Sequence, residues 1–265
     1  VLIPIDDPED PRVAPYRHVR ERDLVGRRGG FIAEGEVVLA TAVRAPQCRL
    51  TSLLLDARRA PGLKPIIAAL PDQTPVYVAS QAVLDAIAGF HLHRGVLGLG
   101  RRTPTPPAAE LLAGLGERAR VLVLIGIANH DNMGGLFRNA AAFGCDAALL
   151  SPDCCDPLYR KSIRVSVGAA LTVPFAWLGA DEDPIALARA HRLESLALSP
   201  SGAERLSEVA PPARAAVFLG AEGPGLPQAL LRSARAVSIP MQGPLDSLNV
   251  AVAAGIVLHH LAFAR

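Results

Sequence analysis

Hydrophobic and polar positions follow two different rhythms along the chain. From about Pro11 to Gly100 the units are short and mixed. The stretch "APYRHVRERDLVGR" predicts a charged helix ending near Gly26. "AEGEVVLATAVR" predicts an amphipathic helix with Val37, Val38 and Ala42 on one face. "RLTSLLLD" and "PVYVAS" read as strands, "SQAVLDAIAG" as a Ser-capped helix closed by Gly89, and "RGVLGLGRR" as a third strand. Strands alternating with helices imply a small α/β layer structure over residues 1–104. Pro104, Pro106 and Pro107 then mark a stiff joint, so residues 105–117 read as a Pro-rich linker.

From residue 118 to 265 the alternation is stronger. "ARVLVLIGIA" is almost wholly aliphatic, as expected of a strand buried on both faces of a parallel sheet. "MGGLFRNAAAFG" reads as a helix ended by Gly144. "AALLS", "VPFAWL", "ESLALS", "AAVFLG" and "AVSIP" read as further strands, with "DEDPIALARAHR" an N-capped helix between two of them. Repeated β-then-α units imply right-handed crossovers and a parallel sheet with helices on both faces. The last helix, in "DSLNVAVAAGIVLHHLA", is apolar and small-sided almost all round. It predicts a buried helix, with a dimer contact as one outlet for its surface.

Composition narrows this picture. Half of the 265 residues are hydrophobic and only 4% aromatic, so the core is aliphatic. A net charge of +2 does not by itself point to nucleic acid. Of 27 basic residues only Lys64 and Lys161 are lysines. The arginine excess fits phosphate recognition, but the compositional bias of a GC-rich genome is the preferred reading. Cys48, Cys145, Cys154 and Cys155 have no zinc-finger spacing, so reduced thiols in a cytoplasmic protein are expected, with no metal. The opening "VLIPIDDPEDPR" turns acidic at once, unlike a secretory signal. No run of 18 apolar residues predicts a membrane span.

In parallel sheets ligands bind beyond the carboxyl ends of strands. Three of the segments there are rich in Gly, Pro or polar residues: "NHDNMGGLFRNAAAFG", "LGAEGPGLP" and "IPMQGPLDSLN". "GAEGPG" lacks the dinucleotide fingerprint and the chain has no Walker motif. Its glycines fit close backbone approach to a ligand and equally a strand-to-helix turn. Asn132 and Arg138 lie six apart on one predicted helix, and the small, apolar neighbours of Arg138 predict a semi-buried polar spot for it. Ser247 and Asn249 lie two apart at the start of the last helix, where one can cap and both can face a shared ligand.

Taken in order, "DNMGGLFRNAAAFG", "LGAEGPGL" and "IPMQGPLDSLNVAVAAGI" resemble the three motifs of the SpoU (TrmH-like) RNA 2′-O-ribose methyltransferases of the SPOUT superfamily. "FIAEGEVVL" and "GFHLHRGVLGLG" more loosely resemble the ribosomal-protein-type RNA-binding domain that often precedes that catalytic domain. The resemblance implies a deep trefoil knot in the C-terminal α/β domain, a homodimer, and S-adenosylmethionine as cofactor. It implies Asn132, Arg138, Glu222, Ser247 and Asn249 as the catalytic set. Leu219, Gly220, Gly223, Ile239, Met241 and Leu248 would contact the cofactor. Arg138 would orient the ribose and stabilise the developing alkoxide, because a guanidinium with a pKa above about 12 makes a poor base.

A 2′-hydroxyl acceptor requires RNA, either rRNA or tRNA. Candidates for holding it are Arg94 and Arg164 first, then Arg58, Arg59, His91, His93, Arg101 and Arg102. The two histidines are expected on one face of a strand. The rival expectation is a non-catalytic RNA-binding or ribosome-assembly protein on the same scaffold.

Overall fold

The computed structural model describes residues 2–17 and 30–264. Backbone contacts divide the chain into two units, Val1–Pro104 with Leu158–Thr172, and Thr105–Pro157 with Val173–Arg265.

The first unit holds a five-stranded mixed sheet. Its strands are β1 (Leu2–Ile5), β2 (Gly30–Glu34), β3 (Cys48–Asp56), β4 (Val76–Ala79) and β5 (Val96–Arg102), in the order β1-β4-β3-β5-β2. β1, β4 and β3 run parallel, and β5 pairs antiparallel with β3 and β2. The helices are α1 (Glu36–Arg44), α2 (Lys64–Ala68), α3 (Gln81–Ala88) and the short α6 (Arg160–Val165). Ser80 caps α3, accepting from the Val83 amide, and Gly89 closes it in the left-handed conformation, as the sequence predicts. Ile5, Val13, Leu54, Leu84, Ile87 and Leu92 form one core, joined by the fully buried Tyr16. The Tyr16 hydroxyl lies 2.6 Å from Ser52 Oγ and accepts from the Leu99 amide, so no polar atom of that ring is stranded.

Several sequence expectations change here. The charged helix read over residues 14–27 falls mostly outside the described residues; its described start belongs to a 3₁₀ turn over Pro11–Tyr16. Ala33 and Glu34 belong to β2 rather than to α1, because Gly35, at φ 91°, breaks the chain between them. β1 and β2 are too short and too mixed to stand out by period, as is α2. His91 and His93 lie in the turn before β5, not on a strand, because Gly89 and Gly95 both take positive φ around them.

The second unit is a seven-stranded, wholly parallel sheet in the order β10-β12-β9-β11-β6-β7-β8. The strands are β6 (Ala119–Ile125), β7 (Ala147–Leu150), β8 (Phe175–Trp177), β9 (Glu194–Leu198), β10 (Glu204–Arg205), β11 (Arg214–Gly220) and β12 (Arg235–Ser238). Its helices are α4 (Ala108–Ala113), α5 (His130–Ala142), α7 (Pro184–Ala190), α8 (Gln228–Ser233) and α9 (Val250–Phe263). β6 and β11 pair along their whole length, from Ala119 opposite Arg214 to Ile125 opposite Gly220. Val121, Val123, Leu149 and Phe218 are almost inaccessible at this centre, which explains why both strands read as unbroken apolar runs.

The Pro-rich stretch read as a linker contains α4, whose Ala108 and Leu112 join the same core. Only its first residues are extended; prolines set the approach to the helix and Pro107 is its N-cap. Residues 158–172, expected with the C-terminal segment, group with the first unit. α6 packs on β2, where Arg160 pairs with the buried Glu34 at 2.8 Å.

Candidate active site

The carboxyl ends of β9, β11 and β12, neighbours in the sheet, open onto one cavity of about 780 Å³. Leu198–Ser201 line it after β9, Leu219–Gly223 and Gly225 after β11, and Ile239 and Met241 after β12. Asp246–Val250 complete it at the start of α9. The sequence singled out the loops after β11 and β12. It passed over the one after β9, whose signal was available as "SPS" following a parallel strand.

After β11 the backbone folds back on itself. The Gly225 amide donates to the Ala221 carbonyl at 3.0 Å, and Gly223 and Gly225 both take positive φ. A Cβ on Gly220 would collide with the Gly225 carbonyl, so only glycine permits this close return. The result is a wall made largely of backbone. All six residues expected at the cofactor, Leu219, Gly220, Gly223, Ile239, Met241 and Leu248, line this cavity.

Polar residues from three distant stretches meet beside it, with Glu222 and Asn249 on its lining. Asn249 caps α9, its Oδ1 accepting from the Ala251 and Val252 amides. The same side chain uses Nδ2 to donate to Asn132 Oδ1 at 2.8 Å and to Glu222 Oε1 at 2.9 Å. One amide therefore ends a helix and ties α5 to the loop after β11. Asn132 is 7% exposed and sits in the first turn of α5, which Asn129 caps. Ser247 lines the cavity and donates to Asp246 Oδ1 at 3.3 Å.

Close packing of α5 and α9 fixes this bridge. A Cβ on Gly135 would stand 2.8 Å from that of Ala251. Asn139 Nδ2 donates to the Ala251 carbonyl at 2.6 Å. Asn139 was missed in the sequence, although it lies seven residues after Asn132 and four after Gly135, hence on one helix face.

Arg138 corrects an expectation. It is exposed and makes no hydrogen bond or ion pair with any described residue, rather than being held at a semi-buried spot. α5 is a regular helix through its glycines, so six residues from Asn132 turn Arg138 to the outward face, beside exposed Asp131, Ala141 and Ala142. Its guanidinium stays available to an external group.

The charge of the cavity decides what it can hold. Among its lining residues there is no Lys, Arg or His, while Glu222 and Asp246 carry carboxylates. A dinucleotide or nucleoside triphosphate would bring phosphates with no cation to receive them. An adenosyl group bearing a sulfonium and an ammonium suits both the carboxylates and the apolar wall of Leu219, Val237, Ile239 and Val250.

The residues considered for RNA lie in the first unit. Arg58, Arg59, His93, Arg94 and Arg164 line a second cavity, whereas His91, Arg101 and Arg102 do not. His91 Nδ1 instead lies 2.7 Å from Asp85 Oδ2, and that hydrogen bond with the Leu92 amide holds the Asp85 carboxyl down at about 2.

The SpoU rRNA Methylase family matches residues 119–259, a span containing every member of the polar bridge. A tRNA/rRNA methyltransferase of Mycobacterium tuberculosis, itself described as uncharacterised, is 39% identical over 96% of this chain and 89% of its own. The chain belongs to the SpoU family. The 23S rRNA (guanosine-2′-O-)-methyltransferase RlmB of Escherichia coli is 28% identical over 83% of this chain and 93% of its own. The crystal structure of an RNA 2′-O ribose methyltransferase aligns at TM-score 0.79 and 26% identity, covering 98% of both chains. A SpoU-family parallel-sheet domain is thus preceded by an α/β unit, and the likeness to that solved structure extends over both.

Proposed function

We propose that this SpoU-family chain transfers a methyl group from S-adenosylmethionine to a ribose 2′-hydroxyl of structured RNA, either rRNA or tRNA. The observation that carries this reading is the cation-free cavity whose lining residues Glu222 and Asn249 are bridged to each other and on to Asn132. Its backbone-rich wall at Leu219, Gly220 and Gly223, with Ile239, Met241 and Leu248 opposite, suits the adenosyl part. When bound, S-adenosylmethionine supplies a methyl group already activated by its sulfonium.

The chain's own task is to align the acceptor and stabilise its oxygen. Glu222 fixes the Asn249 amide by accepting one of its N–H groups, and Asn132 accepts the other. Ser247 stands two residues away with a hydroxyl that can turn to a ribose. Arg138, without a partner among the described residues, offers a guanidinium to a phosphate and to the 2′-oxygen as negative charge grows on it. A guanidinium stays protonated, so its role is electrostatic and the proton leaves by water or a substrate phosphate.

Three further parts belong to this proposal. The loops 219–225 and 239–249, which line one cavity, are threaded as the family's trefoil knot. The first unit holds the RNA. A second copy of the chain covers α9, which leaves Val252, Ile256 and Phe263 between 40% and 65% exposed along one stripe. His259 completes the stripe and packs edge-on against Phe143, the C-cap of α5. No helix among the described residues is long and apolar enough to cross a membrane. The cytoplasm as the site of the reaction is part of the proposal.

Titration calorimetry with S-adenosylmethionine, followed by methyl incorporation into unmodified RNA, tests the reading. Micromolar binding and incorporation are expected. Binding of the cofactor with no incorporation into any rRNA or tRNA would favour a non-catalytic RNA-binding protein on this scaffold. Size-exclusion chromatography with light scattering tests the assembly, where a dimer of the parent and a monomer of Val252→Asp/Ile256→Asp are expected.

A further inference from the structure

The first unit contains a cavity of about 490 Å³ whose chemistry is opposite to that of the active site. Arg58, Arg59, Arg94 and Arg164 converge on it, with His93 at the rim. Its floor is apolar, from Val38, Leu63 and Val96. The arginines come from three separate places: the turns after β3 and before β5, and α6. Their convergence is therefore a property of the fold, not of a charged run in the sequence.

The carboxylates nearby pair with Arg58 and leave Arg59 and Arg94 without an ion pair among the described residues. Asp56 is taken by Arg58 at 2.6 Å. The buried Glu34 is taken by Arg160 at 2.8 Å and reaches Arg164 only at 3.9 Å. Glu36 lines the cavity and is exposed. Arg59 and Arg94 make no ion pair among the described residues; they reach only main-chain carbonyls, of His93 at 3.5 Å and of Glu34 at 3.4 Å. Those long contacts hold the side chains in place and leave most of their donors free. Arg94 also lies against Gly35, where a Cβ would stand 2.7 Å from its Cδ, so the glycine makes room for this guanidinium.

Arginine forks with unused donors around a concave pocket match a phosphate. The size is the second constraint. A cavity of about 490 Å³ admits one phosphate with its nucleoside, and a paired nucleotide cannot turn into it without leaving its helix. Unpaired loops, whose nucleotides can be splayed out, are where RNA-binding proteins read single positions.

We propose that this cavity seats one backbone phosphate, with its nucleoside, from an unpaired stretch of the substrate RNA, gripped by Arg59 and Arg94. The inference rests on RNA being the substrate, as argued above, and adds where and in what form the first unit holds it.

The test uses the full chain, a fluorescent single-stranded 12-mer oligoribonucleotide and its blunt duplex, with Arg59→Gln/Arg94→Gln and Arg59→Lys/Arg94→Lys. The Gln pair should weaken single-strand binding about tenfold and reduce the slope of log K against log salt by about 0.7 for the lost phosphate. Duplex binding should change less than twofold, and the Lys pair should restore most of the affinity. S-adenosylmethionine binding and the thermal midpoint should match the parent, which separates this result from misfolding. Equal weakening of single strand and duplex would overturn the proposal. So would competition by free UMP or GMP at concentrations far below those of the oligonucleotide's own nucleotides, since the cavity would then be a mononucleotide site. If the parent itself fails to methylate RNA yet the Gln pair still loses single-strand binding selectively, the methyltransferase reading fails and the cavity assignment stands.

Discussion

The two cavities of this chain make an instructive pair. The one in the first unit gathers four arginines around an apolar floor; the one in the second has no Lys, Arg or His along its lining and carries two carboxylates there. Both are comparable in size to a nucleotide, so size alone does not separate their ligands. Charge does. A polyanion finds its counter-charges in the first and none in the second, and a sulfonium finds the reverse. A net charge of +2 conceals this division entirely, because opposite local arrangements cancel in the sum.

The largest effect is expected where the second unit meets its acceptor. Arg138→Ala should lower kcat/KM for RNA about 100- to 1,000-fold, the usual cost of one donor aimed at a developing oxyanion. Its S-adenosylmethionine affinity, by calorimetry, should stay within about twofold. Equal loss of both would make Arg138 structural. Next, Ile239→Lys would give the second cavity the charge it lacks. A like charge about 5 Å from the sulfonium, at an effective dielectric near 20, opposes binding by about 3 kcal/mol, or roughly 100-fold. Unchanged affinity would erase the electrostatic contrast between the two cavities.

A smaller effect separates the two duties of Asn249. Asn249→Ala loses the α9 cap and should cost about 1 kcal/mol, seen as a thermal midpoint lower by about 2–4 °C. Asn249→Ser keeps a cap acceptor without adding charge but is too short to donate to Asn132 and Glu222. Its midpoint should stay close to the parent's while turnover falls about tenfold.

The smallest effect is shared by both units. Burial pushes the Cys48 thiol up to about 11 and those of Cys145 and Cys155 up to about 12. Unfolded thiols ionise near pH 8.5. The folded chain therefore binds more protons than the unfolded one above that pH, so stability is full below about pH 8.5 and declines as pH rises towards the folded values. Urea midpoints measured from pH 7 to 10 should fall across the upper part of that range, and less so in a Cys145→Ala variant relative to its own value at pH 7.

Much of the second unit was legible because its strands are buried on both faces. β6 and β11 read as aliphatic runs, and the residues following them are polar, glycine-rich stretches where a parallel sheet puts its ligands. The first unit was less so. β1 and β2 are short, and the glycine that separates β2 from α1 sits inside what looked like one continuous amphipathic helix. α4 was hidden by prolines that begin a helix as readily as they stiffen a linker. Arg138 was misjudged because small neighbours suggested burial, whereas its place on α5 depends on the angle from Asn132. The arginine cavity could not be read from spacing, because Arg58 and Arg59, Arg94 and Arg164 meet only through the fold.

The central claim is that the cation-free cavity and its asparagine–glutamate bridge deliver a methyl group to a ribose oxygen. The most direct measurement incubates the chain with methyl-labelled S-adenosylmethionine and unmodified RNA, then digests the RNA to nucleosides for mass spectrometry. The account predicts the label in a 2′-O-methylnucleoside, incorporated about 100- to 1,000-fold more slowly by Arg138→Ala at limiting RNA. Label on a nucleobase, or equal ribose labelling by the variant, would contradict it.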